Sequence, residues 1–141
     1  MGIIKTTSFT GEQSEFQYEI IAKSDNGGYE EIDYIIYKDE KKKGWEHFVF
    51  NILNIDDERF MLYWVDNGGY PSVSNKGILK PMLYEIQKLY NKDIVSSTNA
   101  GTKVLPSEGR IQDMTDFWDR FKSKNSMVDY LPFEDRYILK K

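Results

Sequence analysis

The sequence predicts one α+β domain over residues 1–141: an antiparallel meander, then helix, strand, helix and a final strand or two. Three observations carry this. The first half alternates apolar and polar residues with period two. The run Phe60-Met61-Leu62-Tyr63-Trp64-Val65 is apolar on both faces, as a strand covered on both sides must be. Beyond Gly77 the apolar spacing lengthens to three and four residues, the period of a helix.

Each element follows from its residues. Phe16, Tyr18 and Ile20 alternate with Gln17 and Glu19, and Ile32, Tyr34 and Ile36 repeat the pattern beyond Asn26-Gly27-Gly28, so the two segments form a hairpin around a positive-φ turn. Residues 38–44 form its solvated far end. A third apolar run covers 45–53, and Asn54-Ile55-Asp56-Asp57 turns it toward the central strand at 60–65. Ile78, Met82, Leu83, Ile86, Leu89 and Tyr90 share one helical face, with the helix beginning near Gly77. Residues 93–97 are β-branched and short, which reads as a strand. Ser107 is placed to cap a second helix whose buried stripe is Ile111, Met114, Phe117, Trp118 and Phe121. Two short strands, 127–131 and 136–139, separated by Pro132, close the chain.

Composition narrows the functional classes. A net charge of −4, with both signs interspersed, lacks the basic surplus that phosphate-backbone binding requires, so nucleic acid is not an expected partner. With no cysteine there are no disulfides, thiolate metal sites or cysteine nucleophiles. No apolar run reaches bilayer length and no signal-peptide pattern appears, so the expected location is the cytoplasm, away from membranes. Met1-Gly2-Ile3-Ile4-Lys5-Thr6 fits the bare N-myristoylation pattern, which is short enough to arise by chance. His47 has no Cys, Asp or second His at ligand spacing, so no metal site is expected. Trp45, Trp64 and Trp118 read as core residues, and Lys41-Lys42-Lys43 as a solvated tip. Ser96-Ser97 lacks the glycines of a nucleophile elbow, which excludes a serine-hydrolase reading.

The functional signal lies where the central strand ends. Its loop, residues 66–77, leaves the C-terminal end of a buried strand and enters a helix N-terminus, a place where backbone N–H groups and the helix dipole attract anions. Ser74, Asn75, Lys76, Gly77, Ile78 and Leu79 are the candidate anion-cradling residues. Asp66, at the strand end, is the geometric candidate for a base, with Ser97 and Asn99 beyond the adjacent strand. The same three residues also read simply as a turn starter and two strand-end residues.

Gly77-Ile78 at a helix start, Ser96-Ser97 ending a strand, and Glu108-Gly109 before Phe117-Trp118 in a helix resemble the C-terminal half of the GNAT acyltransferase superfamily, especially small divergent members from bacteria and their phages. The resemblance covers roughly the last eighty residues. It implies a GNAT-like mixed sheet, with acetyl-CoA held where the central strand splays from its neighbour and its pyrophosphate on the loop and first helical turn. The family's loop pattern falls on Ser74, Gly77 and Leu79, of which only Gly77 matches. Trp118 stands where many members place the tyrosine that protonates the departing thiolate, and indole is no such acid. Tyr130 or Tyr137 are the phenols nearby in sequence. Two expectations follow: an acyl-CoA-dependent N-acyltransferase with a degraded CoA loop acting on an amine, or a non-catalytic interaction protein on the same scaffold, such as a phage or mobile-element accessory factor with a protein partner. A third reading, an unrelated acidic immunity-type α+β domain, goes with a central strand that lies at a sheet edge.

Overall fold

A computed structural model describes residues 2–141, so the acylation pattern that starts at Met1 begins outside the described residues. The fold is α+β, with eight strands in one mixed sheet and two helices among the described residues. In chain order the elements are β1 (Gly2–Thr7), β2 (Gln13–Asn26), β3 (Tyr29–Tyr37), β4 (His47–Asn54), β5 (Arg59–Asp66), α1 (Leu79–Tyr90), β6 (Asp93–Ser96), α2 (Gln112–Lys124), β7 (Val128–Leu131) and β8 (Arg136–Leu139). The sheet order is β1-β2-β3-β4-β5-β6-β8-β7, so the final hairpin inserts its second strand beside β6. Only β5 and β6 run parallel, and α1 makes the crossover between them.

The meander has five strands, one more than the sequence predicted. The additional strand is β1, whose Ile4 and Thr6 point into the core while Ile3 and Lys5 face solvent. That alternation was hidden behind the acylation pattern. Asn26-Gly27-Gly28 is the β2–β3 turn, and both glycines have positive φ, which Cβ-bearing residues rarely adopt.

Both helices cover one face. Met82, Leu83 and Ile86 of α1 and Trp118 and Phe121 of α2 pack with Phe16, Tyr34, Phe50, Phe60 and Ile94 in the main core. Burial of the other face is smaller: Leu53, Met61, Val95 and Ile138 are covered by Leu105 from the irregular segment between β6 and α2. Phe60, Met61 and Leu62 are therefore buried from both sides, as the apolar run requires. β5 lies between β4 and β6, so it is an interior strand.

Three core expectations are corrected. Trp45 precedes β4 and is 73% exposed, its indole donating to the Lys41 carbonyl. Trp64 is 42% exposed, because the register of β5 against β4 slips at Tyr63, a bulge that turns the indole away from the main core while Val65 still packs against it. Ile111 is exposed at the entrance to α2, and Ser107 does not cap that helix; its hydroxyl meets the Tyr63 phenol instead. His47 is half buried, its Nδ1 against the Lys43 carbonyl.

Burial separates two residues of β5. Leu62→Ala is expected to cost about 2–5 kcal/mol, because it opens a cavity in the main core. Trp64→Ala is expected to cost clearly less, since much of the indole is already in water. Denaturant midpoints of the two variants check this, and equal losses would contradict the outward turn of Trp64 at the bulge.

Candidate functional site

The parallel pair is short. β5 and β6 are in register only over residues 59–62 against 93–96, and past Leu62 the bulge turns β5 away. A cleft opens there, lined by Leu62, Val65, Ser97, Arg110, Met114 and Trp118. It encloses about 20 Å³, room for about one water molecule.

Ser97 stands at the mouth of this cleft, and its hydroxyl donates to the carbonyls of Leu62 and Tyr63, each at 3.3 Å. It replaces the ladder bonds that the splay removes. Ser96 donates to the Ser97 carbonyl and accepts the Tyr137 N–H at 2.9 Å, fastening β6 to β8. Asn99 exchanges two hydrogen bonds with the Arg110 backbone, accepting at 2.6 Å and donating at 3.0 Å. Asp66 is exposed and accepts the Gly68 N–H at 2.7 Å. It lies three residues past the bulge, roughly 10 Å along the strand at the usual rise. Thus Ser97 and Asn99 come together beyond β6, and Asp66 does not join them.

The loop after β5 is anchored by Val73 and Ile78, both buried in the main core. Gly77 has a φ of 74°, and a Cβ there would overlap the Thr7 carbonyl oxygen at the end of β1. Its missing side chain therefore admits β1. Lys76 pairs with Glu12 at 2.6 Å, Asn75 is exposed with a φ of 55°, and the buried Ser74 hydroxyl has no hydrogen-bond partner. α1 starts at Leu79, two residues after the expected position, with Ile78 as an N-cap that offers no side-chain acceptor. The first-turn N–H groups thus keep the arrangement that attracts anions, less the one that Pro81 lacks.

The densest polar structure was not anticipated. Arg136, at the start of β8, forms a buried ion pair with Glu108, their side chains 4% and 0% exposed. Glu108 also accepts the N–H groups of Thr98 and Val104, each at 2.8 Å, and Arg136 donates to the carbonyls of Ser96 and Thr102. Beside it Arg110 contacts Asp135 at 3.2 Å and donates to the Ser97 carbonyl at 2.7 Å. Burial alone would raise the Asp135 carboxyl, but hydrogen bonds from the Ala100 and Asn99 N–H groups, Tyr130 and Arg110 outweigh it and hold this acid well below the usual carboxylate range. Burial, helped by a hydrogen bond to Asp119, pushes the Tyr137 phenol up to about 12. Both of the phenols near Trp118 in sequence donate to carboxylates, Tyr130 to Asp135 and Tyr137 to Asp119. The available signal was an arginine opening the apolar run Arg136-Tyr137-Ile138-Leu139, with Glu108 as the one acid of residues 97–111.

Among the described residues no cluster of three or more His, Cys, Asp or Glu is placed to hold a metal ion, and no helix is long and apolar enough to cross a membrane. No family model, curated protein or solved structure matches the chain.

Three variants probe the site. Glu108→Gln should destabilise by about 3–5 kcal/mol, because it leaves the Arg136 guanidinium buried without its counter-charge. Gly77→Val should lose thermal stability through the collision with β1, whatever it does to ligand binding. Asp135, with its depressed pKa, contributes stability that is complete above about pH 4 and is lost as the pH falls through its folded-state value. Asp135→Asn, which keeps the left-handed backbone accessible, should therefore flatten the acid limb of the stability profile. Thermal unfolding below about pH 4 reads the difference.

Proposed function

We propose that this chain is a non-catalytic binding protein built on an acyltransferase-like scaffold, its partner another protein. The scaffold part of the reading is supported by a sheet with a single parallel pair, a helix crossing over that pair, and a bulge that splays it. The non-catalytic part rests on one observation: the polar atoms that acyl transfer would need are engaged by the fold. The Ser97 hydroxyl closes the splay, Asn99 holds Arg110, and the cleft has room for about one water. A base must be free to take the proton it removes, and the Asp66 carboxylate, exposed next to the cleft-lining Val65, accepts the Gly68 N–H at 2.7 Å. Support for a protein partner comes from large aromatic side chains carried on hairpin tips. Phe133 in the β7–β8 turn is fully exposed and Phe9 in the β1–β2 turn nearly so, and such anchors contribute heavily to interfaces.

The second reading is an acyl-CoA-dependent N-acyltransferase that uses a small-molecule amine. The observation that favours it is the N-terminus of α1, where no side chain caps the first-turn N–H groups, a place suited to a pyrophosphate. In that reading acetyl-CoA lies along β5 with its phosphates on Ile78, Leu79 and the flanking Lys76 and Lys80. Backbone donors would then stabilise the oxyanion.

Calorimetric titration with acetyl-CoA and free CoA, paired with a thiol-release assay over a panel of amines, separates the two. The binding-protein reading expects neither saturable heat nor thiol release. Saturable binding lost in Lys76→Glu/Lys80→Glu, together with thiol release, would establish the transferase.

A further inference from the structure

Two Asn-Gly pairs occur in the chain, Asn26-Gly27 and Asn67-Gly68, and the structure treats them differently. Asn26 ends β2 and pairs with Tyr29 across a tight turn, where the ladder and the turn fix its backbone. Asn67 lies in the exposed loop after β5, followed by two glycines with φ of 62° and 71°. Around Asn67 the hydrogen bonds assemble a small reactive constellation. The Gly68 N–H points at the Asp66 carboxylate at 2.7 Å, and the Gly69 N–H donates to the Asn67 side-chain carbonyl oxygen at 2.8 Å.

We propose that Asn67-Gly68 is a self-modification site, at which Asp66 promotes conversion of the Asn67 amide to a succinimide and then to an aspartyl or isoaspartyl link. As the Gly68 nitrogen bonds to Cγ of Asn67, its proton passes to the Asp66 carboxylate. The Gly69 N–H stabilises the negative charge that gathers on the side-chain oxygen. The Cγ–N bond of the amide then breaks, and ammonia leaves with the proton returned by Asp66. Water opens the imide at either carbonyl. No oxidant, metal or enzyme enters the balance, and the only co-reactant is solvent, which an exposed loop supplies. The three parts are those of an acyl-transfer site in miniature: a nucleophile, a base on its proton, and a donor where the oxyanion forms. Asn26-Gly27 lacks a comparable set, because the Asp25 carboxylate accepts the Gly28 N–H at 3.1 Å and not that of Gly27.

The product matters for the region it occupies. It adds a second carboxylate beside Asp66, and the isoaspartyl form inserts a methylene into the backbone that leads toward α1.

The test uses the full chain, incubated at neutral pH and physiological temperature, with peptide mapping of both Asn-Gly pairs by mass spectrometry and isoaspartyl methyltransferase as a second readout. Asn67 is expected to convert faster than Asn26, and Asp66→Ala is expected to slow Asn67 by about tenfold or more, the lower range of general-base effects. The rate at Asn67 should also depend on pH less steeply than in the Asp66→Ala variant, where hydroxide must take over as base. Equal or faster conversion at Asn26, an unchanged rate in Asp66→Ala, or identical pH dependence in the two proteins would each overturn the proposal.

Discussion

The ion pair between Glu108 and Arg136 is the constraint on which the second half of the molecule depends. One face of the sheet has two helices to cover it, but the other has only the irregular segment that joins β6 to α2. Such a segment has many backbone polar groups and little periodic hydrogen bonding, so it cannot lie over a core unless those groups find partners. Glu108 supplies acceptors for two of its N–H groups, and Arg136 supplies donors for the Thr102 carbonyl within it and the Ser96 carbonyl just before it. The pair thereby holds Leu105 over Met61, Val95 and Ile138. Its own net electrostatic contribution is small once desolvation is counted, yet loss of either partner is costly. The pair acts less as an adhesive than as a template that fixes where the loop lies.

Arg110 and Asp135 repeat the device one layer outward. Asp135 draws in the N–H groups of Asn99 and Ala100, and Arg110 stacks over the Tyr137 ring at 5.2 Å while bonding the Ser97 carbonyl. Together the four charges bind the end of β6, the loop and the β7–β8 hairpin into one unit. That unit forms the wall of the cleft, which explains why the hydroxyls and amides there are already engaged.

What could be read from the residues was periodic. The alternation in β2 and β3, the doubly apolar β5 and the stripes of α1 and α2 all come from local patterns that burial enforces directly. The hydrophobic signal also placed Phe60, Met61 and Leu62 in the interior. It failed at Trp64 because a bulge is a single-residue slip in pairing, and nothing in the local apolar pattern marks it. The packing role of Gly77 was missed for a related reason. A glycine with positive φ in a loop reports that something comes close to the backbone, and only the tertiary structure shows that the neighbour is Thr7 of β1. Arg136 and Asp135 were passed over because charges separated widely along the chain have no periodicity to announce them, and Glu108 was seen only as part of a short motif.

The brevity of the β5–β6 pairing bears on how the molecule folds. The five antiparallel strands connect to one another through neighbouring turns, so they can zip from local contacts. The remaining three strands attach to them through four residue pairs that must wait for a crossover through α1. Assembly is therefore expected in two stages, a meander that organises early and a C-terminal unit that docks across a narrow seam. Pulsed hydrogen exchange would show amides of β3 and β4 protected before those of β6 and β8, and simultaneous protection would refute that order. The seam that widens into the cleft is then also a kinetic boundary, the line across which the late-forming unit meets the early one.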